Sequence, residues 1–175
     1  MQDLLRRSNF PALRALALSH FHEDLLGILR APSTLQLIEA LDASTLITSS
    51  IVQAVAWALT LTQPIHLCLR GPPDEDHSGK EEDADYKKLA EIIENSNQSP
   101  LLSLYLDVQL RPPFGNTSFM EAGGRQRLVE ACEKRKVEVV YEEGPCNWTK
   151  DPIISQEFWR RQRELRKEGE KVGRE

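Results

Sequence analysis

Apolar residues along this chain follow two spacings that take turns. Leu13, Leu16 and Leu18 stand at L-x-x-L-x-L, and the same spacing returns at Leu101, Leu104 and Leu106. Weaker versions occur at Leu35, Ile38 and Ala40, at Pro64, Leu67 and Leu69, and at Val137 and Val139. Short apolar runs in which alternate side chains share a face predict five strands. Taking positions 13, 35, 64, 101 and 134 as anchors, the intervals are 22, 29, 37 and 33 residues. Intervals of that size are those of a repeat array with insertions.

Between these runs the spacing becomes helical. Phe21, Leu25, Ile28 and Leu29 fall on one face of a helix over 20–30. Ser49 or Ser50 is placed to cap a second helix carrying Ile51, Val52, Val55 and Leu59. A third starts at Asp83 or Asp85, with Leu89, Ile92 and Ile93 inward and Lys87, Lys88, Glu91 and Glu94 outward. A fourth spans 118–135 with Phe119, Leu128, Val129 and Cys132, and Gly123-Gly124 weakens its first half. Two segments break the alternation. Residues 72–85 hold seven acidic side chains against Lys80 and predict a solvated, disordered loop. Residues 148–175 predict a charged helical tail in which a single turn docks through Ile153, Ile154, Phe158, Trp159 and Leu165 and then frays into disorder.

The expected fold is therefore an α/β solenoid-like array of about five strand–helix units with a parallel sheet over 1–147. The alternative is a compact two-layer or doubly wound α/β domain, which a reversal of strand order would reveal. Composition sharpens this. Of 175 residues 24 are Leu, while Phe, Trp and Tyr together number 11, so leucine rather than aromatic rings builds the core. The net charge of -5, without a basic patch interleaved with aromatics, argues against a nucleic-acid partner. The most apolar stretch, 46–61, is short for a bilayer span and holds Thr, Ser and Gln, so no membrane is expected. Three widely spaced cysteines without a CxxC pair predict free thiols in a reducing compartment. The early charges at Asp3, Arg6 and Arg7 interrupt any signal-peptide core, which makes cytoplasm or nucleus the expected location. Asn116-Thr117-Ser118 and Asn147-Trp148-Thr149 then read as chance glycosylation triplets.

Candidate chemistry is sparse. On a helix His20 and Asp24 stand at i, i+4, but no further ligand lies near, and the polar start of a helix accounts for the group. G-x-S-x-G, Walker A and G-x-G-x-x-G patterns are absent, and Cys146 has no base assignable to it. His66 and Cys68 share a strand face, so a Cys–His pocket is the basis of an enzyme alternative. The preferred reading assigns no catalytic residue, no metal and no cofactor. If the leucines face the helices, the alternate positions form a second strip: Ala17, Ser19, Glu39, His66, Arg70, Ser103, Tyr105, Asp107 and Glu138. Tyr and Arg commonly carry binding energy, so Glu39, His66, Arg70, Tyr105, Asp107 and Glu138 are the expected protein-partner residues.

Three stretches, Phe10–Leu18, Ser99–Asp107 and Leu128–Glu142, make the chain resemble leucine-rich repeat regions, in particular the degenerate C-terminal repeats of fungal F-box-like proteins. The resemblance covers 10–143; Asp42 and Asp107 follow their strands where regular repeats carry an asparagine. It implies a protein-interaction module, the substrate-recognition part of a ubiquitin ligase whose F-box docks the Skp adaptor. No F-box is recognisable in this chain, which is then expected to be a fragment of a longer repeat protein or a truncated product without independent function.

Overall fold

The computed structural model describes residues 13–18, 38–44, 48–70, 79–96, 100–107, 123–141 and 153–172. Five strands form one parallel sheet: β1 (Ala15–Leu18), β2 (Ala40–Ser44), β3 (Ile65–Arg70), β4 (Leu101–Asp107) and β5 (Glu138–Tyr141). Their spatial order is β1-β2-β3-β4-β5. Helices α1 (Thr48–Ala58), α2 (Gly79–Asn95) and α3 (Gly123–Lys134) connect successive strands from β2 onward, and α4 (Ile153–Val172) follows β5. Among the described residues the order contains no reversal, so the sheet is not doubly wound, while one parallel sheet with helices packed on it agrees with the two-layer form of that alternative. The helix expected over 20–30 lies outside the described residues.

Parallel pairing aligns the strands in rows. One row reads Leu16, Leu41, Leu67, Leu104 and Val139, and the next row on that face begins Leu18, Ala43, Leu69 and Leu106. These side chains share one apolar cluster with Ile51, Val55 and Ala58 of α1, Leu89 and Ile93 of α2, and Leu128, Ala131 and Cys132 of α3. Among the described residues α1, α2 and α3 therefore cover the same face. That follows from topology: parallel crossovers of a single hand, each stepping one strand in the same direction, must all pass over one side.

The register corrects one expectation. Ala40 pairs with Ala15 and Leu41 with Leu16, so the second unit's spacing is Ile38, Leu41 and Ala43 rather than Leu35, Ile38 and Ala40. Leu16, Leu41 and Leu67 are then 25 and 26 residues apart, a more even interval than the sequence reading found. Between β3 and β4 the register slips, Ile65 facing Leu101 and His66 facing Ser103. Leu102 is the extra residue of that irregularity, and its side chain is 43% exposed.

Helix boundaries differ where charge was read as disorder. α2 begins at Gly79, inside the segment expected to be a loop, so Glu81, Glu82 and Asp83 fall near its N-terminus. An acidic sequence is compatible with a helix start, because carboxylates near an N-terminus generally suit the positive end of a helix dipole. α3 begins at Gly123, in the doubtful glycine pair.

α3 ends on an unusual residue. Val137 N–H donates to Cys132 O at 2.8 Å and Lys136 N–H to Glu133 O at 3.0 Å, the paired bonds of a Schellman cap. Lys136 takes the left-handed position with φ 59°, where glycine is free of the Cβ clash. Lys136→Gly is expected to raise stability by about 0.5–1 kcal/mol, the strain relieved outweighing glycine's extra chain entropy. Urea unfolding would register this as a higher midpoint at unchanged slope.

Candidate functional site

Alternation that sends the leucines toward α1–α3 sends the intervening residues to the opposite face. Its first row is Ala15, Ala40, His66, Ser103 and Glu138, and its second is Ala17, Asp42, Cys68, Tyr105 and Val140. Arg70 and Asp107 pair in a third row. This is the strip expected to meet a protein partner, and α4 lies across it over β3 and β4.

α4 docks by an amphipathic stripe. Ile154 and Phe158, four residues apart, are buried in a second cluster with Ala40, Cys68 and Tyr105, and Trp159 packs beside them. Tyr105, Phe158 and Trp159 form two edge-to-face contacts, with centroid separations of 5.3 and 5.0 Å. The outer side of α4 carries its own ion pairs, Arg160 with Glu157 and Glu164, and Arg161 with Glu164. Rather than a single docked turn, the tail is a 20-residue helix whose first half is seated on the sheet.

A buried carboxylate fastens the helix. Asp42 is 1% exposed, in the middle of β2 between Leu41 and Ala43. Its Oδ1 accepts Arg70 Nε–H at 2.9 Å, and its Oδ2 accepts Trp159 Nε1–H at 2.8 Å and the Ser155 hydroxyl. Ser155 and Trp159, at i, i+4 on α4, thus close on an ion pair between β2 and β3. The resemblance to leucine-rich repeats implies for Asp42 only the role of an asparagine substitute after its strand; the structure places it within the strand. Its signal was an acidic residue inside an apolar run, together with a hydroxyl and an indole one helical turn apart near the C-terminus.

The six expected partner residues separate accordingly. Tyr105 is 2% exposed beneath Phe158, and Arg70 is engaged with Asp42. Burial pushes the Tyr105 phenol up to about 12, with Glu138 and Glu157 adding to the effect. His66 is half-buried and shares a 2.8 Å hydrogen bond between Nδ1 and Ser103 Oγ. Burial, then the nearby Arg161 guanidinium, lowers its pKa from the ordinary 6.5, against an opposing pull from Glu39. Glu39 is exposed and lies 3.7 Å from Arg14. Glu138 is exposed at the start of β5. Asp107 ends β4, and its side chain lies outside the described residues. His66, Arg70, Tyr105 and Glu138 share one face of the sheet, Glu39 precedes β2 outside its rows, and the chain itself engages Tyr105 and Arg70, the two expected to anchor a partner.

Cys68 and His66 do share this face, and Cys68 is fully buried in the α4 cluster. Cys132 lies on the other side, where burial pushes its thiol up to about 12. His20, His22, Asp24, Cys146 and both glycosylation triplets lie outside the described residues. Among the described residues no three His, Cys, Asp or Glu side chains gather as metal ligands, and no helix is long and apolar enough to cross a membrane. Comparison with family models, curated proteins and solved structures returns no match.

Asp42→Ala leaves Arg70 and two further donors without their acceptor and is expected to cost about 3–5 kcal/mol in urea unfolding, with Asp42→Asn costing less because one carbonyl acceptor remains. For His66, the folded state disfavours protonation, so the unfolded chain binds more protons as pH falls below 6.5. Its contribution is complete above that pH and is lost on acidification toward the lowered folded value. Wild type should therefore lose stability between pH 7 and 5 more steeply than His66→Gln.

Proposed function

We propose that this chain is a protein-interaction module of leucine-rich-repeat-like α/β units, acting without catalysis. The row Leu16, Leu41, Leu67, Leu104 and Val139 carries this reading, because equivalent apolar residues of five strands stack in sequence order, as a solenoid requires. The resemblance to the C-terminal repeats of fungal F-box-like proteins supports the narrower reading of a substrate-recognition region in a ubiquitin ligase, working in the cytoplasm or nucleus. On that reading the chain recognises protein, and the Skp adaptor is bound by an F-box outside this sequence.

His66 and Glu138 stay accessible at the starts of β3 and β5, and Glu39 is exposed just before β2. The test is affinity capture from cell lysate with the full chain, compared with Glu39→Lys/Glu138→Lys. Expected is a protein captured by wild type, released by excess free chain and reduced at least fivefold in the double variant, without Skp or cullin components. Direct recovery of Skp and cullin would contradict the placement of the F-box elsewhere, and no specific partner would contradict the interaction reading.

A further inference from the structure

We infer that α4 is a displaceable internal ligand, and that the sheet face beneath it is the docking site for an amphipathic helix of a partner protein. The inference deepens the interaction reading and rests on it. Among the described residues, α4 is the helix that covers this face, because α1–α3 all lie on the other. Its attachment is narrow: Ile154 and Phe158 are buried, Trp159 and Ser155 hook Asp42, and Arg166 to Gly169 are exposed. Among the described residues its ion pairs are internal to the helix, so they survive undocking.

The decisive observation is the third position of the docking stripe. Ile154, Phe158 and Gln162 recur every four residues, and Gln162 is 7% exposed with no hydrogen-bond partner for its Nε2 among the described residues. A buried amide donor left unpaired is a standing penalty, so the chain's own helix is an imperfect occupant. A better one keeps the features the face satisfies and replaces the one it does not. That specifies the partner: a helix with an aliphatic residue at i, a hydroxyl at i+1, Phe-Trp at i+4 and i+5, and an aliphatic residue at i+8. Such a helix must outcompete a tethered one, whose effective concentration is of mM order, and the mismatch at Gln162 lowers that barrier.

The test uses the full chain and fluorescein-labelled peptides of residues 151–175, followed by anisotropy. The Gln162→Leu peptide should bind wild-type chain at least fivefold more tightly than the native peptide. Both should bind a Phe158→Ala chain at least tenfold more tightly than wild type, and a Phe158→Ala/Trp159→Ala peptide should bind neither. As a check independent of variant folding, wild-type chain carrying fluorine-labelled tryptophan is titrated with unlabelled Gln162→Leu peptide. The Trp159 signal should move to its undocked position while Trp57 stays. A Trp159 signal unmoved at peptide excess would overturn the inference, as would equal affinity of the two peptides. A concentration-dependent dimer with Trp159 docked would give the face to a second copy and also overturn it. No cellular protein is present, so failure here concerns the displaceable helix alone, whereas failure of lysate capture concerns the interaction reading.

Discussion

Everything in this molecule depends on one topological constraint: sequential parallel strands joined by crossovers of one hand leave half of the sheet uncovered. α1, α2 and α3 all pack on the leucine rows, and the opposite face would present Ala40, Cys68 and Tyr105 to water. Burying that face needs an element from outside the repeating strand–helix pattern. α4 meets the need, since its Ile154 and Phe158 recur at helical spacing while its outer side carries ion pairs among Glu157, Arg160, Arg161 and Glu164. The two faces differ in kind as a result. One is a continuous aliphatic core; the other is an aromatic cluster beside a buried ion pair.

That difference explains where specificity resides. Aliphatic rows accept many packings of similar volume, but Asp42 has donors from β3 and from two positions of α4, and it is satisfied only when the helix sits in one place. Three donors on one buried carboxylate thus set the position of α4, while apolar burial holds it there. Gln162 marks where the fit ends: one turn beyond Phe158 the stripe turns polar and its amide nitrogen has no partner among the described residues.

Much of the architecture was legible in the sequence because leucine spacing is a short-range signal. Leu13, Leu16 and Leu18, and Leu101, Leu104 and Leu106, located β1 and β4 directly, and strand parity assigned His66 and Tyr105 to the face away from the crossover helices. The second strand was set three residues early because Leu35, Ile38 and Ala40 match the spacing as well as Ile38, Leu41 and Ala43 do; only pairing with neighbouring strands decides between them. The acidic start of α2 was read as disorder because composition alone cannot distinguish a solvated loop from a helix N-terminus that welcomes carboxylates. The role of Asp42 was illegible for a different reason. Its partners lie 28, 113 and 117 residues away, and no local pattern reports a contact of that range.

On this account the sheet with α1–α3 is one cooperative unit and α4 is a second, weaker one attached to it. Native-state amide hydrogen exchange across low denaturant concentrations tests this most directly. The account predicts that α4 amides open at a free energy well below that of β3 and β4, and above that of a fraying terminus. Exchange of α4 only in the same global transition as β3 and β4 would contradict it, as would an α4 with no protection at all.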